Sequence, residues 1–259
     1  MYKSMSQQGN LKGSQFIVGK KTLTGTTLPH WHDNFEIEYI VSGGGKYTID
    51  GTEYPIEKGM IFFTGTSSFH IVSLENTTLY NLRFTSEICN SELLTKLCSS
   101  PHLVVKVSDE NFVLSLFEKL EKNKHNSIYS SAVINYLIAE IGLSSKATQK
   151  SSSVSAKAQF YIMNNFRNDI KLEDVANYVN LSPPYFSKIF KEETGINFKK
   201  YINEQRFKYA RNLIKFSDMN IMQICYESGF SDYANFLRRF KEKFGVSPTE
   251  YKKISEFPH

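Results

Sequence analysis

Between residues 15 and 85 the chain alternates short apolar runs with turn residues. Residues 35–41, 46–49, 60–63 and 78–84 are rich in β-branched and aromatic side chains, a pattern that predicts strands. Ser42-Gly43-Gly44-Gly45 and Asp50-Gly51 predict tight turns with positive φ between them. Several strands at this spacing suggest a sandwich or small barrel. From about residue 87 the period changes. Ile88, Leu93, Leu94 and Leu97 suit a short helix, and Val113, Leu116, Phe117 and Leu120 a longer one. Val133, Ile134, Leu137, Ile138 and Ile141 line one helical face. Residues 142–155 are polar and Ser-rich, which places a linker there, with 146–155 assigned as the segment between the domains. Everything beyond is helical in pattern. The expected organisation is α+β: a strand-rich domain at 1–145 with helices at its end, then an all-α domain at 156–259.

The C-terminal part repeats itself at an offset of 50 residues. Phe186, Phe190, Lys191, Glu192, Gly195 and Tyr201 recur as Phe236, Phe240, Lys241, Glu242, Gly245 and Tyr251. Two copies at this period indicate a duplicated supersecondary unit rather than a solenoid. Each copy has the logic of a helix-turn-helix. In the first, Leu172, Val175 and small Ala176 face inward, Asn180 suits a left-handed turn, and Leu181 plugs the core. Ser182 is a candidate N-cap, Pro183 a first helical residue, and Phe186, Ile189 and Phe190 point inward. The second copy substitutes Ile221, Ile224, Cys225, Gly229 and Phe230, with one extra residue before a helix capped by Ser231 or Asp232. The stretch from Ile202 to Lys215 predicts a helix joining the two units. One copy alone reads equally well as a helical hairpin. Two copies with matching turns and basic outward faces point to DNA.

Charge agrees with that division. Residues 1–150 hold 14 Lys and Arg against 14 Asp and Glu, so the net +5 falls wholly in 151–259. Residues 1–20 lack an apolar signal-peptide core, no apolar run is long enough to span a membrane, and three scattered cysteines suit a reducing compartment. A cytoplasmic protein with no membrane partner is therefore expected. There is no phosphate loop, GxSxG motif or activated-cysteine context, so no enzyme and no cofactor are expected.

The strings LEDVANYVNLSPPYFSKIFKEETGINFKKYI and ICYESGFSDYANFLRRFKEKFGVSPTEYKK, with the Arg and Ala of RFKYARNLI, carry a specific resemblance. Residues 157–254 resemble the DNA-binding domain of the AraC/XylS family of bacterial regulators. Cys225, where Ala is more usual, and the Pro183-Pro184 pair depart from its commonest pattern. The resemblance implies that both second helices enter successive major grooves of double-stranded DNA, about 34 Å apart. Pro184, Ser187 and Lys188 in the first, and Tyr233, Asn235 and Arg238 in the second, would meet bases. Ser182 and Tyr185 complete the DNA-facing set, while Lys191, Arg239, Lys241 and Lys243 would meet phosphate. The family also implies a homodimer, RNA polymerase as a candidate partner, and activation as the commoner mode.

Pro29-His30-Trp31-His32-Asp33-Asn34-Phe35-Glu36 is the other conspicuous stretch. In a strand His30 and His32 share one face. The spacing from His30 and His32 through Glu36 and Gly43 to Gly59 and His70 resembles the cupin barrel, and equally the effector-binding arm of AraC-like regulators. Three readings stay open. The histidines line a small-molecule pocket, with His30, His32, Glu36, Tyr39, His70 and Arg83 as lining and a sugar among the candidate effectors. They brace the strand edge by hydrogen bonds. Or three nitrogens and a carboxylate hold a transition metal, as in a metal-dependent cupin enzyme. Trp31 is placed to stack on a sugar or to cover the barrel end. Ile134, Leu137, Ile138 and Ile141 are a candidate dimer stripe, or the face by which their helix packs on its own barrel. A constitutive DNA binder whose barrel only dimerises is a further alternative.

Overall fold

The computed structural model describes residues 11, 14–66, 68–98, 102–145 and 154–256. The chain divides between Ala156 and Lys157 into two compact units.

The N-terminal unit is built on six strands: β1 (Phe16–Thr26), β2 (Phe35–Ile49), β3 (Thr52–Ile56), β4 (Met60–Thr64), β5 (His70–Phe84) and β6 (His102–Lys106). All pairings are antiparallel, in the order β1-β5-β2-β4-β6, with β3 beside the second half of β2. Three helices follow the sheet in sequence or interrupt it: α1 (Ser91–Leu97), α2 (Glu110–Lys122) and α3 (Ser127–Ser145). Asp50 and Gly51, at φ 49° and 91°, make the expected two-residue turn between β2 and β3.

The glycine run behaves differently from expectation. Residues 42–45 do not end a strand; β2 passes through them, with register shifts at Ile40/Ser42 and Ser42/Gly44. Gly43 and Gly45 have φ of 95° and 133°, and a Cβ on Gly45 would sit 2.0 Å from the Ser73 carbonyl oxygen. The glycines therefore supply bulges that bend one long strand closely past β5. The short run at 102–106 forms β6, a strand that the helical reading from residue 87 onward missed.

The first part of β2, residues 35–40, is buried on both faces. Tyr39 stacks on Phe117 of α2, centroids 5.5 Å apart, and its hydroxyl donates to the Glu110 carbonyl at 3.0 Å. The opposite face carries Glu36 and Glu38, followed by a core of Ile40, Tyr47, Ile49, Ile56, Phe62, Val72, Leu74 and Leu79. On α3, Val133, Ile134, Leu137, Ile138 and Ile141 are buried within a single chain. The proposed dimer stripe is thus core, and packing on its own unit wins. Gly142 is also buried in α3, which runs on to Ser145, so the linker does not start at 142. Of the linker at 146–155, residues 146–153 lie outside the described residues, and Val154 and Ser155 belong to the next helix.

The C-terminal unit is helical: α4 (Val154–Asn165), α5 (Leu172–Tyr178), α6 (Pro183–Thr194), α7 (Phe198–Phe216), α8 (Ile221–Glu227), α9 (Tyr233–Phe244) and α10 (Pro248–Glu256). Helix α7 is about 28 Å long at ~1.5 Å per residue and serves both repeats. Its Phe198 lies 6.1 and 6.4 Å from Phe186 and Phe190, and its Phe207 lies 4.7 Å from Phe230 and 6.0 Å from Phe236. Each repeat thereby buries its aromatic face on one end of a shared rod.

Candidate functional site

The two helix-turn-helix units share their turn bonds and their C-cap bonds. Leu181 N–H donates to the Ala176 carbonyl at 2.9 Å, and Phe230 N–H to that of Cys225 at 3.1 Å. Asn180 and Gly229 make the left-handed turn at φ 57° and 82°. Gly195 and Gly245 end the second helices at φ 77° and 80°, each N–H bonded four residues back at 2.9 Å. The register is 49 residues before the turn and 50 after it, so the extra residue falls where the sequence placed it. Ser182 holds the N-cap position of α6 without a side-chain cap bond, ahead of Pro183 at the first turn. In α9 the choice between caps resolves to Asp232, whose carboxylate accepts from Asn235 N–H at 3.0 Å.

The faces turned away from α7 carry the expected DNA-facing residues. Ser182, Pro184, Tyr185, Lys188 and Lys191 are exposed on or beside α6, with Ser187 half-buried. On α9, Arg238 and Lys243 are exposed, and Tyr233 and Asn235 half-buried. Arg238 donates to Glu242 Oε1 at 2.6 Å and to Asn235 Oδ1 at 2.9 Å, which holds the guanidinium along the outer face of its helix. An exposed pair of this kind contributes ~1 kcal/mol or less, so DNA can displace it cheaply. Arg239 differs: half-buried, its guanidinium lies 5.6 Å from the Phe207 ring, so it also braces α9 on α7. Arg206 is structural, donating to the carbonyls of Phe166 at 2.6 Å and Asn168 at 2.8 Å.

The histidines of the N-terminal unit converge. A backbone bridge joins His30 to His70, with N–H···O distances of 3.0 and 2.9 Å in the two directions. The ring centroids of His30 and His70 are 4.2 Å apart, and His32 lies 5.2 and 5.3 Å from them. Glu36 places Oε1 3.4 Å from His32 Nε2 and Oε2 3.1 Å from His70 Nε2. All four residues are buried. On the far sides of two rings, His30 Nδ1 is 2.8 Å from the Leu28 carbonyl and His70 Nδ1 3.1 Å from that of Ser68. A carbonyl oxygen only accepts, so each Nδ1 carries a proton and each ring turns its Nε2 inward.

The electrostatics follow from crowding. Burial, then the charge of His70, lowers the His30 pKa to about 3, so this ring is neutral. Burial alone would raise the Glu36 pKa, but His32 and His70 outweigh it and hold the carboxyl well below the ordinary range. Burial likewise opposes protonation of His70, yet its bond to Glu36 and the charges of Glu36 and Glu38 raise its pKa. Glu38, which the sequence reading passed over, is raised by burial and by the Glu36 charge. Asn81 Nδ2 donates to Glu36 Oε1 at 2.8 Å and to Glu38 Oε1 at 3.0 Å, tying the two carboxyl groups together. Glu38 was detectable, since period two puts it on the face of Glu36. The same parity removes Tyr39 from the cluster, as its ring points to α2 instead. Arg83 sits directly across from Glu36 in the β2–β5 register. Trp31 is buried and stacked on Phe69 at 5.1 Å, so it is not an open platform for a sugar.

Comparison with known proteins covers both units. Residues 22–134 match the family model of the AraC-like ligand binding domain, and residues 175–254 a helix-turn-helix domain model. The regulatory protein PocR of Salmonella typhimurium is 42% identical over 104 residues, 40% of this chain and 34% of that protein. The melibiose operon regulatory protein of Escherichia coli K12 is 26% identical over 256 residues, 88% of this chain and 84% of that protein. The Msm operon regulatory protein of Streptococcus mutans is 25% identical over 243 residues, covering 87% and 86%. Among solved structures, fatty-acid-bound ToxT of Vibrio cholerae aligns over 92% of this chain and 94% of its own, at 17% identity and a TM-score of 0.45.

Proposed function

The chain belongs to the AraC family of transcriptional regulators, and from that premise we propose that it activates transcription from sites read by α6 and α9 in response to a small-molecule effector. The observation that carries this is the duplicated helix-turn-helix, with the same turn and C-cap bonds in both copies and a basic outer face on each. Residues 156–259 act as the DNA-binding part and residues 1–145 as the effector-binding and dimerisation part. Lys188, Ser187 and Pro184 on α6, and Arg238, Asn235 and Tyr233 on α9, lie over base edges. Arg to guanine and Asn to adenine are the pairings their chemistry supports. Lys191, Arg239, Lys241 and Lys243 meet phosphate and set affinity rather than sequence.

The effector biases which presentation of the DNA-binding part is populated; it need only bind one state better than the other. The relative that regulates the melibiose operon favours a sugar. The working state is a cytoplasmic homodimer that recruits RNA polymerase and carries out no catalytic step. Among the described residues no helix is long and apolar enough to cross a membrane.

The test is selection from a random pool of duplex DNA by the purified chain. Two short motifs about one helical turn apart, ~34 Å, are expected. Retention of DNA with no motif, in the presence and absence of a sugar panel, overturns the assignment of the two reading helices.

A further inference from the structure

We propose that His30, His32, His70 and Glu36 hold a divalent first-row transition-metal ion inside the N-terminal unit. The proposal goes beyond the regulator reading and does not depend on it, since the ion is held by one unit whether or not the other engages DNA.

Four observations converge. First, the donor atoms are already gathered: the three histidines each offer a nitrogen within 4.8 Å of the others. Two ligands on one ion at about 2.1 Å are at most about 4.2 Å apart, so a small inward rotation of the rings completes the set. Second, the rings are aimed. The Leu28 and Ser68 carbonyls accept from Nδ1 of His30 and His70 from behind, which orients each ring with Nε2 inward. This outer bracing is what histidine ligands require. The backbone bridge between His30 and His70 fixes two of the ligands relative to each other before any ion arrives.

Third, the space is the wrong size for a sugar. Imidazole rings with centroids 4.2–5.3 Å apart are in mutual contact, and all four side chains are at least nine-tenths buried. An ion fits among them, whereas an organic effector must bind elsewhere in the unit or displace them. Fourth, the site gathers buried carboxyl groups that a cation would complement. A buried Glu36 carboxylate faces two Nε2 atoms at 3.1 and 3.4 Å, and a second buried carboxyl, Glu38, reaches it through Asn81. Three imidazoles with one carboxylate suit zinc, iron, cobalt or nickel; magnesium and calcium prefer all-oxygen cages. Bound there, the ion staples the segment carrying His30 and His32 to β2 and β5.

The test uses the full chain without an affinity tag, stripped with EDTA and titrated with Co²⁺. One equivalent per chain is expected, with visible ligand-field absorption that Zn²⁺ displaces. Trp31 is the only tryptophan and stands between two of the ligands, so its fluorescence is quenched as Co²⁺ binds and restored by Zn²⁺. His32→Ala and His70→Ala abolish the stoichiometric signal, Asn81→Ala weakens binding by roughly 10–100-fold, and exposed His125→Ala leaves it unchanged. Absence of saturable Co²⁺ binding by the wild-type chain overturns the proposal. So does binding that leaves Trp31 fluorescence unaltered, a readout that needs no variant to fold.

Discussion

Asn180 and Gly229 turn the chain at equivalent places in the two repeats, both through the left-handed region. Their surroundings differ. Asn180 is exposed, whereas a Cβ on Gly229 would lie 2.7 Å from the Arg167 carbonyl oxygen and 2.9 Å from Arg206 Nε. The backbone of the second turn is pressed against residues that Arg206 itself anchors. Gly229→Asn, although it copies the first repeat, should therefore destabilise the protein by about 2 kcal/mol or more, and Asn180→Gly by about 1 kcal/mol or less. Thermal unfolding of the two variants decides it, and equal midpoints would refute the close-approach argument. Both turn residues were legible in the sequence, because few residue types accept positive φ. The crowding at Gly229 was not, since it comes from residues 23 and 62 positions away in the chain.

At the scale of elements, α6 and α9 share one design and differ in how their reading residues are held. Lys188 stands exposed, while Arg238 is bonded to Asn235 and Glu242 along α9. Replacing either with Ala should cost about 1–3 kcal/mol of specific binding and relax preference at one half-site. The double variant should lose specific binding and keep its helical circular dichroism; retained motif selection would mean that other faces read the DNA. Phe236→Ala tests the scaffold instead. This ring is fully buried against Phe207 and Phe230, so its loss should cost about 3–5 kcal/mol and weaken DNA binding only through unfolding. The helices of this unit were readable because the 3.6-residue period, the caps and the repeat reinforced one another. Strands were harder. The glycine run of β2 has the composition of a turn, and only its pairing with β5 makes it a bulge. Strand β6 is five residues long and is defined by β4 across from it, not by its own pattern.

For the molecule as a whole, two properties follow from surfaces rather than from any one residue. The first is self-association. With the Ile134–Ile141 face buried, the apolar residues that α3 leaves exposed include Tyr129, Tyr136 and Leu143, spaced seven apart and 36%, 49% and 66% exposed. A stripe of that period suits a helix pairing with its symmetry mate. Tyr136→Asp with Leu143→Asp should convert a dimer to a monomer in sedimentation, and an undisturbed dimer would exclude this face. The sequence offered one apolar stripe on this helix, and periodicity alone could not say whether it packs on its own unit or on a symmetry mate. The same limit held at the histidines, where spacing brought four groups together and period two puts Glu38 with Glu36 and turns Tyr39 away, but only the folded register showed Asn81 bonded to both carboxyl groups.

The second whole-molecule property is salt dependence. All the net positive charge lies in 151–259, and Lys191, Arg239, Lys241 and Lys243 are the side chains assigned to phosphate. Each phosphate neutralised releases counterions, so about four contacts predict a log–log slope of affinity against salt of roughly −3.6. Arg239 is partly committed to the Phe207 ring, which makes a somewhat shallower slope, nearer −3, the expected value. Removing Lys191 and Lys243 together should flatten the slope by about 2 and weaken all sequences alike, leaving the selected motif unchanged. Arg238→Ala should do the reverse, relaxing the motif with little change in slope. If instead the lysine pair alters which sequence is selected, then α6 and α9 lie in the groove in a different orientation, with their C-terminal turns over the bases.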